Sequence, residues 1–264
     1  MQYVNKLIFE KLKSLLDDKV LEYNQKDFIP QDPISIPHQY SHPRDIEISG
    51  FFTALFAWGN RTIIINKSKD LMQLMGNQPY EFIKNHSQSD LKSILTFKHR
   101  TFNATDVLYM IDFLHRHYNQ HQSLESAFFP EGITSVENGL TQFKHYFSAS
   151  PYFPERTGKH IATPEKNSNC KRLNMFLRWM IRSDKQGVDF GIWKKLKPDQ
   201  LIIPIDIHVH RVAMDLTLIH TTKINWNAAL ELTNTLKRFD VDDPVKYDFA
   251  LFGMGINFKR ESLI

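Results

Sequence analysis

Cys170 is the only cysteine among 264 residues, which excludes an intrachain disulfide. It also excludes a zinc or iron–sulfur site built from cysteine alone, which takes about four such ligands. Glycine is scarce, ten residues against twenty phenylalanines, and that ratio points to a bulky aromatic interior. The alternation of apolar and polar residues that a half-buried strand requires is almost missing, and there is no internal repeat or low-complexity tract. No apolar run approaches the roughly 20 residues needed to span a bilayer, so no membrane partner is expected. The opening segment MQYVNKLIFEKLKSLLDD lacks a signal-peptide layout; the expected localisation is cytoplasmic, with the chain mature as written. A net charge of +4 permits a polyanionic partner such as nucleic acid without demanding one. No cofactor is implied.

What is present is helical periodicity. Leu7, Ile8, Leu12, Leu15 and Leu16 recur at three- and four-residue spacing, predicting a helix from Gln2 to Asn24. Residues 25–43, with four prolines, read as an irregular connection. Residues 44–59 read as a buried helix stopping at Gly59. Shorter helices are expected over 66–76 and 78–85, then a long one capped by Asn103 or Thr105. Helical patterns continue over 123–129 and 134–148. The polar break 149–169 is a functional loop or a boundary, and helix 170–182 and a second irregular insert over 183–205 follow it. Helices Asp206–Ile219, Asn225–Phe239 and Pro244–Gly253 close the chain. The expected fold is mostly α, a multi-helix unit over 1–264 with little or no sheet, open to a two-lobed arrangement.

The stretch LIIPIDIHVHRVAMDL places Asp206, His208, His210 and Arg211 between a proline-broken apolar run and a helix. On an extended chain the acid and both histidines would share one face, as a metal site requires. Val209, Val212, Ala213 and Leu216 instead have helical spacing, with Asp206 as N-cap, and this turns His208 away from Asp206 and His210. Pro204 keeps the residue before it out of helical geometry. A capping carboxylate fixed at a helix start is suited to stabilising a developing cation, and it is equally an ordinary cap.

The segment IPIDIHVHRVA resembles the P-V-D-x-H-V-x-R-hydrophobic-A segment of the helix-hairpin-helix DNA glycosylases, the superfamily of endonuclease III and 8-oxoguanine glycosylase. The resemblance implies that Asp206 is the catalytic acid and that His208 and Arg211 are mostly structural. NCKRLNMFLRWM is similar to the family stretch in which a nucleophilic lysine opens a helix, which makes Lys171 the residue that attacks the sugar C1′ and forms a Schiff base. A lysine attacks as the neutral amine, a form favoured by burial or neighbouring positive charge; Arg172 and the helix start flank Lys171. ALFAWGNRTIIIN resembles the helix–turn whose tip enters the duplex, here Asn60 and Arg61, since a base inside a stacked duplex must be flipped out before its glycosidic bond is reached.

The resemblance covers mainly 169–255, the expected catalytic segment, with a fainter extension over 49–66. Two departures stand out. The family's Gly-x-Gly hairpin before the lysine is replaced by TPEKNSNCK, which puts phosphate gripping in doubt, and the 35 positions from Lys171 to Asp206 are roughly twice the family's interval. The four-cysteine cluster of endonuclease III is absent.

The implied function is removal of a damaged base, such as an oxidised purine, from duplex DNA, with AP-lyase activity. Arg172 and Arg211 join Asn60 and Arg61 as DNA-binding residues, and His208, His210, Trp193 and Asp248 are cleft candidates. The alternatives are a catalytically inactive nucleic-acid-binding protein on the same scaffold, and a metal-dependent hydrolase using His208, His210 and the late aspartates Asp240, Asp242, Asp243 and Asp248. Asp242-Asp243-Pro244 also reads as a helix start. His99, Arg100, His115, Arg116 and His117 form either a DNA-facing surface or a solvated helix face. Trp58, Trp179, Trp193 and Trp226 are expected in the core, with Trp193 also able to stack on a base.

Overall fold

Capping side chains mark many of the helix starts in the computed structural model, which describes residues 2–257. Met1 and residues 258–264 lie outside the described residues, as do the side chains of residues 2–5 and 257. The helices are α1 (Gln2–Tyr23), α2 (Pro43–Phe56), α3 (Arg61–Leu74), α4 (Pro79–Asn85), α5 (Gln88–Ile94), α6 (Ala104–Gln120), α7 (Glu125–Phe128), α8 (Val136–Ser148), α9 (Lys171–Ile181), α10 (Ile207–Asp215), α11 (Trp226–Leu236) and α12 (Tyr247–Asn257). Among the described residues there is no strand, only an isolated bridge between His99 and Phe102. No described helix is long and apolar enough to cross a membrane.

Several starts follow from one side chain each. Asn103 accepts from the Asp106 amide and Asp106 returns the bond to the Asn103 amide, a reciprocal box that decides between Asn103 and Thr105. Ser87 and Asp90 make the same box and create α5, a helix that apolar periodicity alone does not announce. Asn225 caps α11 through the Ala228 amide. The proline-rich connection becomes three short 3-10 turns, Lys26–Gln31, Pro33–Ser35 and Pro37–Gln39. α10 ends four residues earlier than its apolar pattern suggests, because Thr217 turns left-handed at φ 56°.

α2 is the buried centre: every residue from Ile46 to Phe56 is inside. It packs on α9 at Gly50, where a Cβ would stand 3.2 Å from Met180 Cε and 3.4 Å from Phe176 Cε2. Phe51, Phe113, Phe128, Phe143, Phe147 and Phe176 interlock around this contact, and each buried ring contributes roughly 1.5–3 kcal/mol relative to exposure. The phenylalanine excess is therefore core.

Two features of the sequence divide in the structure. Leu7, Ile8 and Leu15 on α1 are exposed, because α1 rests on α12 through a narrower row, Phe9, Leu12, Leu16, Val20 and Tyr23. The histidine-rich surface is not one surface. His99 and His117 are buried, and His115 bonds the Ile83 carbonyl through Nδ1. Arg116 pairs with Asp112, and Arg100 lies over the Trp58 ring.

Candidate active site

Asp206 caps α10 with a single oxygen. Oδ1 accepts from the His208 amide at 2.9 Å and the Val209 amide at 3.0 Å. Oδ2 is left over, and Lys171 Nζ, from the first residue of α9, stands 3.9 Å away. Both side chains are about three-quarters buried, at 25% and 23% exposure. The distance is too long for a hydrogen bond and short enough for strong attraction.

Asn169 locks this pairing. Its Nδ2 donates to the Ile205 carbonyl at 2.8 Å, immediately before Asp206. Its Oδ1 accepts from the Lys171 amide at 3.4 Å, and its carbonyl accepts from Asn174. One side chain thus joins the turn that launches α9 to the strand-like segment that launches α10. The turn contains no glycine, yet two of its residues are left-handed, Asn167 at φ 51° and Cys170 at φ 49°. Asparagine tolerates that region better than most residues. α10 is seated from the other side by Gly255 of α12, where a Cβ would come within 2.9 Å of His208 Cβ.

Lys171 and Asp206 line a cavity of about 930 Å³, within the range of ligand pockets. Its apolar walls include Phe28, Ile64, Met175, Trp179, Phe249 and Phe252. Its polar wall carries Asp32, Arg61, Arg178, His208 and Asp248, with Trp58, Lys159 and His160 also lining it. Burial pushes the Asp248 carboxyl up to about 6, against the pull of Arg178, which donates to it through Nη1. Arg178 also bonds Asp189 at 3.2 Å, and Arg182 bonds Asp189, Asp243 and Asp184. Both guanidiniums lie over the Phe249 ring. This buried network ties the insert over 183–205 to the cavity wall.

Of the residues singled out in the sequence, Lys171, Asp206, Asp248, His208, Arg61 and Arg172 line the cavity. His208, a cleft candidate, lines the cavity. Its Nδ1 is buried without a hydrogen-bond partner. His210 does not belong, since its Nε2 contacts the Thr221 carbonyl at 2.9 Å. The acid and two histidines therefore do not converge, and no group of three or more His, Cys, Asp or Glu side chains placed to hold a metal occurs among the described residues. Trp193 is buried, not cleft-lining. Its Nε1 donates to Glu47 at 2.7 Å, and it packs on Phe128 and Phe176.

Arg211 is also outside the cavity, donating to the Gly255 carbonyl at 2.6 Å. Arg172 donates to the Leu55 and His160 carbonyls, so it ties the C-terminal end of α2 to the segment at His160. Asn60 is exposed but spends its Oδ1 capping α3 through the Ile63 amide, and Arg61 lies 5.3 Å over the Phe252 ring. Asp243 precedes Pro244 at a 3-10 turn as the sequence suggests, but its carboxylate serves Arg182 instead of capping. Gly253 of α12 faces the Tyr23 ring of α1.

Two features escaped sequence reading. Asp32 starts the 3-10 turn Pro33–Ser35, accepting from the Ile34 amide; the Asp-Pro pair signals a turn but not that it forms a cavity wall. Trp58, assigned to the core by its apolar neighbours, is 49% exposed at the cavity, with the Arg100 guanidinium stacked 4.3 Å over it. Gly59, at φ 104°, makes the stack possible, since a Cβ there would collide with Arg100 Nη1 at 2.2 Å.

No curated protein and no solved structure matches the chain. The model of the DUF2400 family, described as protein of unknown function, matches residues 32–257, a span that includes Asp32, Lys171, Asp206 and Asp248; the chain belongs to this family.

Proposed function

We propose that this chain is a DNA glycosylase with AP-lyase activity, related in mechanism to the helix-hairpin-helix enzymes its two motifs resemble. The observation that carries the reading is the Lys171–Asp206 pair: an amine 3.9 Å from a carboxylate oxygen that the helix cap leaves unused, in a cavity large enough for a flipped nucleoside. Lys171 supplies the nucleophile toward the sugar C1′. Asp206 stabilises the positive charge that builds on the sugar as the base departs, as carboxylates do in glycoside hydrolysis. The Trp58–Arg100 stack at the same cavity offers an aromatic face and a cation to nucleic acid.

The test is strand scission of a duplex holding one abasic site, resolved on a denaturing gel. The wild type cleaves by β-elimination, and Lys171→Ala abolishes cleavage without loss of helicity. Salt-sensitive binding without any cleavage would instead favour a binding protein on the same scaffold.

A further inference from the structure

Asp32 lines the same cavity as Lys171 and Asp206 but comes from the opposite end of the chain. It is 8% exposed. Its Oδ1 accepts from the Ile34 amide at 3.1 Å, and Oδ2 makes no hydrogen bond within the protein. The Trp179 indole N–H, on the α9 wall of the cavity, is also buried without a partner. A cavity with an unused carboxyl oxygen and with Phe28, Phe249 and Phe252 among its walls suits a flat heterocycle with ring nitrogens.

We propose that Asp32 is the general acid for base departure, its free carboxyl oxygen delivering a proton to a ring nitrogen of the leaving base. The inference rests on the glycosylase reading. The C1′–N bond breaks, and its electron pair stays on the base. The base takes the Asp32 proton, Lys171, having given up a proton to solvent, attacks as the neutral amine and forms the new bond to C1′, and Asp32 regains its proton from solvent after release. Two carboxyl groups in contrasting surroundings divide the labour of acid and ionic stabiliser in glycoside hydrolysis. Here Asp206 accepts from two amides and stands 3.9 Å from Lys171 Nζ, whereas Asp32 is enclosed and has one amide partner.

Burial raises the Asp32 carboxyl above its ordinary value, although the Ile34 amide and the nearby charges of Arg61, Arg178 and Lys171 pull it down. The other titratable groups on the cavity are Asp206, His208, Asp248, Lys159, His160 and Arg172. Asp248 is a weaker candidate, because Arg178 donates directly to its carboxylate.

The experiment compares full-length wild type with Asp32→Asn in two assays. Base release is followed under single-turnover conditions on duplexes containing 8-oxoguanine, hypoxanthine or uracil, across pH 5 to 9. Schiff-base trapping with borohydride is followed on a duplex with a preformed abasic site, which has no base to lose. Asp32→Asn is expected to slow base release about 10²-fold and to remove the fall in rate at high pH, while trapping proceeds at the wild-type rate and so reports an intact fold. Unchanged base release and pH profile in Asp32→Asn would overturn the proposal, as would an alkaline limb that vanishes in Asp248→Asn or His208→Gln instead. So would a wild type that traps the abasic site but releases none of the three bases, which leaves the Lys171 reading standing. A wild type that does not trap removes the glycosylase reading itself.

Discussion

Lys171 Nζ faces the one oxygen of Asp206 that the α10 cap does not use. Capping and charge are therefore separable at this residue. Asparagine caps a helix about as well as aspartate, so Asp206→Asn keeps the two amide bonds and loses only the anion. Its stability is expected within ~1 kcal/mol of wild type, with base release slowed about 10²-fold or more. Paired denaturation and single-turnover assays check this. A variant that is equally active, or one that is inactive only because it unfolds, contradicts the division of roles.

Trp58 and Arg100 give a binding prediction. Arg100 adopts a left-handed backbone, φ 53°, to lay its guanidinium on an exposed indole across Gly59. Strain of this kind is retained where surroundings or function impose it. Trp58→Ala is expected to weaken duplex binding by ~1–3 kcal/mol, the range for one stacked base, with little change in melting temperature. Fluorescence anisotropy at fixed salt measures it; unchanged affinity would remove Trp58 from the interface.

Stability has its own pH dependence. Burial pushes His117 and His160 down to about 4, so both stay neutral in the fold while the unfolded chain takes up protons below about 6.5. Their contribution is present above about pH 6.5 and is lost as pH falls toward 4. His117 Nε2 contacts the Ser123 carbonyl and Nδ1 contacts Tyr146. The stability advantage of wild type over His117→Gln, from thermal melts, is therefore expected to shrink steadily between pH 7 and pH 4.5. A constant gap across that range would contradict the assignment.

The helices were legible in the sequence because apolar spacing and capping residues are local signals; Asn103, Asn225 and Asp206 all cap where their types suggest. The pairing of Lys171 with Asp206 was an expectation drawn from motif resemblance, and periodicity alone gives no sign of it. What fixes it in space is Asn169 bridging to Ile205, a contact across 36 positions. Trp58 left its expected place in the core and Trp193 kept its own for a similar reason. Glu47 offers the buried Trp193 indole a hydrogen-bond partner, while Gly59 leaves room for Arg100 to hold Trp58 at the surface. Such choices depend on partners distant in the chain. Asp32 was invisible because its chemistry lies in what surrounds it, and a lone Asp-Pro reads only as a turn.

The most direct measurement is mass spectrometry of the wild-type protein after borohydride reduction in the presence of an abasic-site duplex. The account predicts a single covalent adduct, mapped by proteolysis to the peptide containing Lys171 and missing in Lys171→Ala. An adduct on another lysine, or undiminished trapping by Lys171→Ala, would contradict it.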